Sequence, residues 1–546
     1  MASKDYYSAY RSPAYTNFRA FQSENVMGIF DPMNLVMKLD ADIGAFLITA
    51  DGATRFTIAS DPQVVLAVAV NFHETIHWWQ HAGTTAGLLC ALTIPLQTHI
   101  NVEHLQTFGC KYKKPLFKFL EKQGQSLPDY LQRSLNIIVN NWMDIEFSYA
   151  LLNYPENARR VCSNKYFLSI GHAIQIHLGG TVGLLAACFD KDFHVLPNIK
   201  EWEDNFRELR ERRVRNYFPG SQIIVPPLGV HSILEGQARF QELQFLYLVA
   251  GPKATWDEFK VLGLMEPLYT RAFESFLIAT GLEYPSNPMS PSVHLFMVLC
   301  DIALNPDSGY PNDIMDYERF LEDISPGIRF LRGAAVIRRS PHLKNRLVNL
   351  TKDEYQEVAT DICQQVHWKT PQQAAATIME MWEGTDLPQE LERENKNGEF
   401  RDNNMPIRFY YANHLNLMRD KAKNPEFFCW PAKHLVFEPD KVVDAQKIKT
   451  LMDSHQPPFI ATTMDSRVVE NLKHIKNPDA RVRVISTFFR WQIYYDVVRQ
   501  WIAKDGRFSF NYRWLDPGHT ELDYINWVKK DFQQNFGCDV GDIELC

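Results

Sequence analysis

The sequence predicts an α+β fold that is predominantly α-helical, with a small antiparallel sheet near the N-terminus and a large helical remainder. Three observations carry this expectation. Apolar residues recur at helical spacing in long stretches between residue 62 and about residue 380. Short apolar segments bounded by turn residues occur before residue 60. No internal repeat or low-complexity tract is present, which excludes a solenoid.

The first thirty residues, rich in Tyr, Ser and Asn, read as an irregular lead-in. Leu35-Val36-Met37-Lys38-Leu39 and Ala45-Phe46-Leu47-Ile48-Thr49 read as strands, Ala50-Asp51-Gly52 as a turn, and 54–59 as a returning strand. Ser60-Asp61-Pro62 is a helix start: a capping side chain, then proline where its missing N–H costs nothing. The helix is expected to run over 62–81 and to end at Gly83 in a left-handed terminus, with Thr84 or Thr85 capping the next one. Further helices are predicted at 128–153, 170–188, 231–249, 267–278 and 292–304, and a late aromatic-rich one at 482–503.

The chain has 546 residues, 45% of them hydrophobic, enough for two domains or one large one. The expected division is a catalytic region at 1–250, a helical region at 251–382 and an aromatic-rich mixed α/β region at 407–546. The charged, apolar-poor run 383–406 between them reads as a linker or exposed loop. A net charge of -8 and no basic face argue against a nucleic-acid partner. The start lacks an apolar signal-peptide core, and the most apolar runs, 86–96 and 181–189, fall short of the ~20 residues a membrane span needs. Nine scattered cysteines, never in C-x-x-C spacing, disfavour a disulfide framework and a cysteine zinc ribbon. The expectation is a soluble cytoplasmic protein without a membrane partner, leaderless export being left open. The sequence does not give the oligomeric state.

The chemistry centres on His73-Glu74-Thr75-Ile76-His77, an H-E-x-x-H inside a helical pattern. Histidines four apart share a helix face and reach one metal ion, and the intervening glutamate is placed to take a proton from a metal-bound water. Phe72, Ile76 and Trp79 are expected to anchor this helix in the core, and Trp78-Trp79 to be core or to line a pocket. A catalytic zinc takes three protein ligands. His81 lies ~12 Å of helical rise from His73, too far for one straight helix to close both on one ion. It reads instead as supporting a ligand, facing substrate, or simply packed. Glu235, followed by the small residues Gly236 and Ala238 that would let its helix approach the motif helix, is one candidate third ligand. Glu146 is the other, with Asp144 beside it to orient a histidine. An ion pair with Arg239 is the alternative role for Glu235. His231, one turn before Glu235, and His172 near Gly179-Gly180 are further candidates for supporting or substrate-facing positions, as is His177.

In Glu235-Gly236-Gln237-Ala238 the chain resembles the gluzincin-type metallopeptidases, whose H-E-x-x-H helix is completed by a glutamate from a second helix, often as E-G-x-A. The resemblance, confined to these two segments, implies a zincin-like catalytic region. It also implies His73, His77 and Glu235 as ligands of one Zn2+ per chain, and Glu74 as general base. The expected activity is zinc-dependent hydrolysis of a peptide or protein substrate. Two alternatives stand beside it. Glu74-Thr75-Ile76-His77 is also the E-x-x-H of carboxylate-bridged di-iron oxidoreductases, although no second E-x-x-H is found. A target-specific toxin or defence protein with a metallopeptidase-like core is the other.

Overall fold

The computed structural model describes residues 27–47, 62–109, 113–250, 254–401, 404–435, 442–462, 468–512 and 519–546. They form a predominantly helical α+β fold with one four-stranded sheet. Strand β1 (Gly28–Asp31) pairs antiparallel with β2 (Val36–Leu39), Gly28 opposite Leu39. Asp31, buried at the turn, fixes the hairpin. Its carboxylate accepts from the Met33 and Asn34 backbone N–H groups, from Asn34 Nδ2 and from Lys38 Nζ, at 3.0 to 3.3 Å.

The strand expected at 45–49 is helical as far as it is described, within α1 (Ala41–Leu47). Asp40 Oδ1 accepts the Asp42 N–H at 3.0 Å at the start of this helix, and Ile43 and Leu47, four apart, are both buried. The partner of β2 is therefore the upstream segment that the sequence assigned to the lead-in. The expected turn at 50–52, the returning strand at 54–59 and the Ser60-Asp61 cap lie outside the described residues.

Helix α2 (Pro62–Ala82) carries the motif, and every residue from Ala67 onward is buried. A helix buried all round is a core element. Its end is not left-handed: the Gly83 N–H bonds the Trp79 carbonyl at 2.7 Å, and Gly83 is not among the positive-φ residues. Thr84 then caps α3 (Thr85–Ala91) by accepting the Gly87 N–H at 2.9 Å.

Helices α4 (Thr93–His99), α5 (Asp129–Asn153), α6 (Ile170–Phe189) and α7 (Trp202–Glu211) follow. Then come α8 (Val230–Ala250), α9 (Pro267–Thr280) and α10 (Pro291–Leu304). Among the described helices only α6 is long and apolar enough to cross a membrane, and 56% of its most apolar window is buried inside the protein.

The run at 383–406 contains a helix, α11 (Leu387–Asn397), rather than a bare linker. Leu391, Glu394 and Asn395 are buried, and Glu394 and Glu390 accept from Arg408 of α12 (Met405–Lys423) at 2.7 to 2.9 Å. The carboxylates that made the run look solvated serve a buried arginine.

Strands β3 (Phe459–Thr462) and β4 (Val468–Glu470) complete the sheet in the order β1-β2-β3-β4. β2 and β3 are parallel, with Val36 opposite Phe459, so the sheet is mixed rather than wholly antiparallel. Its edge strand β1 lies against α2. The helix α13 (Pro478–Ala503) contributes Phe488, Phe489, Tyr494 and Tyr495 to the same core as Phe30 and Phe72. A second apolar cluster gathers α8, α9 and α10 around Phe296. Seven of the described cysteines are free, while Cys538 is disulfide-bonded.

Candidate metal centre

Helices α2 and α8 pack together so that His73 and His77, one turn apart, face Glu235. The two Nε2 atoms are 3.1 Å apart, and Glu235 Oε2 lies 3.7 Å from the first and 3.5 Å from the second. All three ligand atoms fall within 4.8 Å of one another. Among the described residues this is the one group of three or more metal-ligating side chains so arranged.

The opposite ring nitrogens show whether the group suits a metal. His73 Nδ1 meets Glu242 Oε2 at 2.9 Å, so it carries the proton and donates. His77 Nδ1 meets Gln80 Oε1 at 2.7 Å. The Gln80 amide nitrogen is turned away, donating to the Leu234 carbonyl and to Gln237 Oε1 at 2.9 Å each, so its oxygen is an acceptor and His77 Nδ1 donates. With Nδ1–H donating on each ring, Nε2 is the nitrogen that each ring, when neutral, offers to an ion, and both face the same carboxylate. Hydrogen-bonded Nδ1–H groups of this kind are how metal-ligating histidines are oriented. The donor set fits a divalent ion.

The same cluster has a pronounced electrostatic signature. Burial alone would lower the His73 pKa, but the Glu235 and Glu242 carboxylates more than offset this and raise it to about 9. Burial would raise that of Glu235, yet His77 and His73 hold it well below the usual range. In the polypeptide without an ion, a proton on His73 balances these carboxylates, in the place a cation would take. Glu242 is also bound by Arg239 Nη1 at 2.5 Å. The sequence alternative of a Glu235–Arg239 pair is replaced by this one.

Glu74 sits beside the group, buried, with Oε2 lacking any hydrogen-bond partner. Burial pushes its pKa up, and His73 and His77 pull it back. Strand β1 covers it closely: a Cβ on Gly28 would lie 2.9 Å from Glu74 Oε1. That is why glycine stands at this point of the edge strand.

The other sequence candidates fall elsewhere. Glu146 accepts from Gln97 Nε2 at 2.8 Å and is not in the cluster. Asp144 does orient a histidine, but it is His172, 3.2 Å away. His177 is bound to Thr93 and Ser148 in the core. His81 is packed: its Nδ1 donates to the His77 carbonyl at 2.9 Å and its ring lies against Phe30. Trp78 and Trp79 are core residues. His231 is near the site, with Nδ1 3.9 Å from Glu235 Oε1 and its ring against Tyr154. Gly236 does not open the way to α2. A Cβ there would meet Ala272 at 3.1 Å and Phe296 at 3.3 Å, so it lets α9 and α10 close on the far side of α8.

Three residues that touch the histidine pair are not predicted from the sequence. Glu242 lies seven residues after Glu235, two helical turns on the same face, and that spacing was the available signal. Gln80 lies three after His77, on the same face. Tyr269, edge-on to the His73 ring at 6.0 Å with the Arg239 guanidinium 3.9 Å over its face, had no sequence signal. No protein-family model, curated protein or solved structure matches the chain, so the reading of the site rests on this geometry.

Buried neutral histidines also set an acid limit on stability. Burial lowers the pKa of His81, His99, His294 and His414 to about 4 and of His177 to about 3. The unfolded chain binds protons at these positions from pH ~6.5 downward while the folded one does not. Their contribution is therefore complete above pH ~6.5 and is lost as pH falls towards 4, by up to ~3 kcal/mol per histidine. Denaturant titrations at pH 7.0, 5.5 and 4.5 are expected to show falling stability at unchanged slope. Constant stability across that window would contradict the burial of neutral rings.

Proposed function

We propose that the protein is a zinc-dependent hydrolase that cleaves peptide bonds. The observation that carries this is the convergence of His73 Nε2, His77 Nε2 and Glu235 Oε2 beside a buried carboxylate, Glu74, with an unpartnered oxygen. His73, His77 and Glu235 would hold the ion. When bound, such an ion lowers the pKa of water to ~7 and polarises a carbonyl.

The chain's own residues account for the rest. Glu74, with a proton affinity raised by burial, takes the proton from the attacking water and returns it to the leaving amine. Glu242 and Gln80 hold the two imidazoles in register. Among the described residues β1, beside Glu74, has no strand on its outer side, which supports a peptide substrate, because an extended chain can add to such an edge by backbone hydrogen bonds. A cytoplasmic setting is supported by the seven free cysteines, Cys538 being the exception. Hydrolysis of peptide libraries that is abolished by a chelator and restored by zinc tests the reading. Chelator-insensitive cleavage, or none of any peptide, would overturn it.

Tyr269 is the group placed to donate to the charge that develops on the carbonyl oxygen. It is half-buried at the edge of His73, and Arg239 fixes its ring. Tyr269→Phe is expected to lower kcat about 10²-fold with KM and zinc content unchanged. A kcat within twofold of the parent would make Tyr269 a wall of the site and not a donor.

A further inference from the structure

A second cleft, of about 600 Å³, shares no residue with the metal group and runs along α6. Its lining follows that helix from His172 to Cys188, ~24 Å at 1.5 Å per residue. Glycines set the floor. A Cβ on Gly180 would come within 2.9 Å of Leu96, and one on Gly183 within 3.0 Å of Ile199, so both walls close tightly on a bare helix face.

The two ends of the cleft differ in chemistry. Helix α7 and its flanks run antiparallel to α6: Ile199 lies at Gly183, Trp202 at Gly179, and the Asn216 carbonyl accepts the Gly171 N–H at 2.9 Å. Arg210 therefore falls at the His172 end. It is half-buried, lines the cleft, and has no carboxylate partner among the described residues. Gln175 and the Asp144-bound His172 line the same cleft. From Ile176 onward the α6 floor bears no charge. Glu203, the acid on the lining, is exposed and two turns away from Arg210 on α7, and burial keeps the lining residue His99 neutral.

We propose that this cleft binds a single long-chain fatty acid, with its carboxylate at Arg210 and its chain laid along α6 towards Ala187. A guanidinium without a carboxylate partner among the described residues suits a carboxylate, to which it donates two parallel N–H···O bonds. Beyond it the α6 floor of Ile176, Gly179, Gly180, Gly183, Leu184 and Ala187 carries no charge and suits a polymethylene chain, Glu203 standing on the α7 side. The volume lies within the range of small-ligand sites.

Titration calorimetry of the full chain with saturated fatty acids of 8 to 18 carbons, each below its micelle threshold, tests the proposal. Affinity is expected to rise two- to fourfold per methylene and then level off at the length the channel holds. Ala187 is exposed, so Ala187→Trp leaves the core intact while filling the far end. It is expected to move the plateau to shorter chains. Arg210→Glu is expected to weaken the binding of dodecanoate at least tenfold and leave that of dodecanol unchanged. No saturable binding at any length would overturn the proposal, as would an unmoved plateau in Ala187→Trp or equal binding of dodecanoate to Arg210→Glu and parent. None of these readouts involves hydrolysis, so the outcome is independent of the metal-centre reading.

Discussion

Replacing Glu74 with glutamine is expected to reduce peptide hydrolysis by about 10³- to 10⁴-fold while leaving zinc content unchanged. The size of the loss follows from what surrounds this carboxylate. It is buried, one oxygen has no partner, and among the described residues the other acids beside the two motif histidines are Glu235 and Glu242. Both of those are committed, Glu235 facing the two Nε2 atoms and Glu242 bonded to His73 Nδ1 and Arg239. Glutamine keeps the shape and removes the basicity. Steady-state kinetics with elemental analysis of the same sample check it. Activity within tenfold of the parent, at equal zinc content, would remove Glu74 from the role of base.

Glu242→Ala is expected to act on the metal and on the fold at once. His73 loses the acceptor that fixes its ring and tautomer, which typically costs 10- to 100-fold in metal affinity. Arg239 loses its carboxylate while buried, and breaking such a pair from one side costs about 3 to 5 kcal/mol. Zinc affinity by chelator competition reads the first effect, and denaturant unfolding of the metal-free protein the second. Glu242→Gln keeps an acceptor for His73 Nδ1 but not the charge, and is expected to fall between parent and alanine variant in both. An alanine variant with parental zinc affinity would mean that Glu242 supports only Arg239.

The motif helix was legible because its signals are local: a proline at the first turn, apolar residues all round, and two histidines one turn apart. Glu235 was legible through the short pattern that follows it. Gly236 itself faces α9 and α10 rather than α2, because nothing local in sequence says which side of a helix its neighbours will occupy. Glu242 and Tyr269 act through partners more than 150 residues away in the chain, which periodicity does not reveal. The small sheet is present and β2 lies where a strand is expected, but its pairing is not readable for a related reason. Its strands are three or four residues long, and β2 finds its parallel partner more than 400 residues later. The segment at 45–47 has strand-like composition, but Asp40 at the start of α1 and the Ile43–Leu47 spacing make it helical. The charged run at 383–406 looked solvated because Arg408, which receives its carboxylates, lies just beyond it.

The central claim is that one ion is held by His73, His77 and Glu235. Anomalous diffraction at the zinc edge, from crystals of the zinc-loaded protein, tests it most directly. The account predicts one peak, ~2.0 to 2.2 Å from both Nε2 atoms and a Glu235 oxygen. A pair of metal peaks, a peak elsewhere, or an empty site at saturating zinc would contradict it.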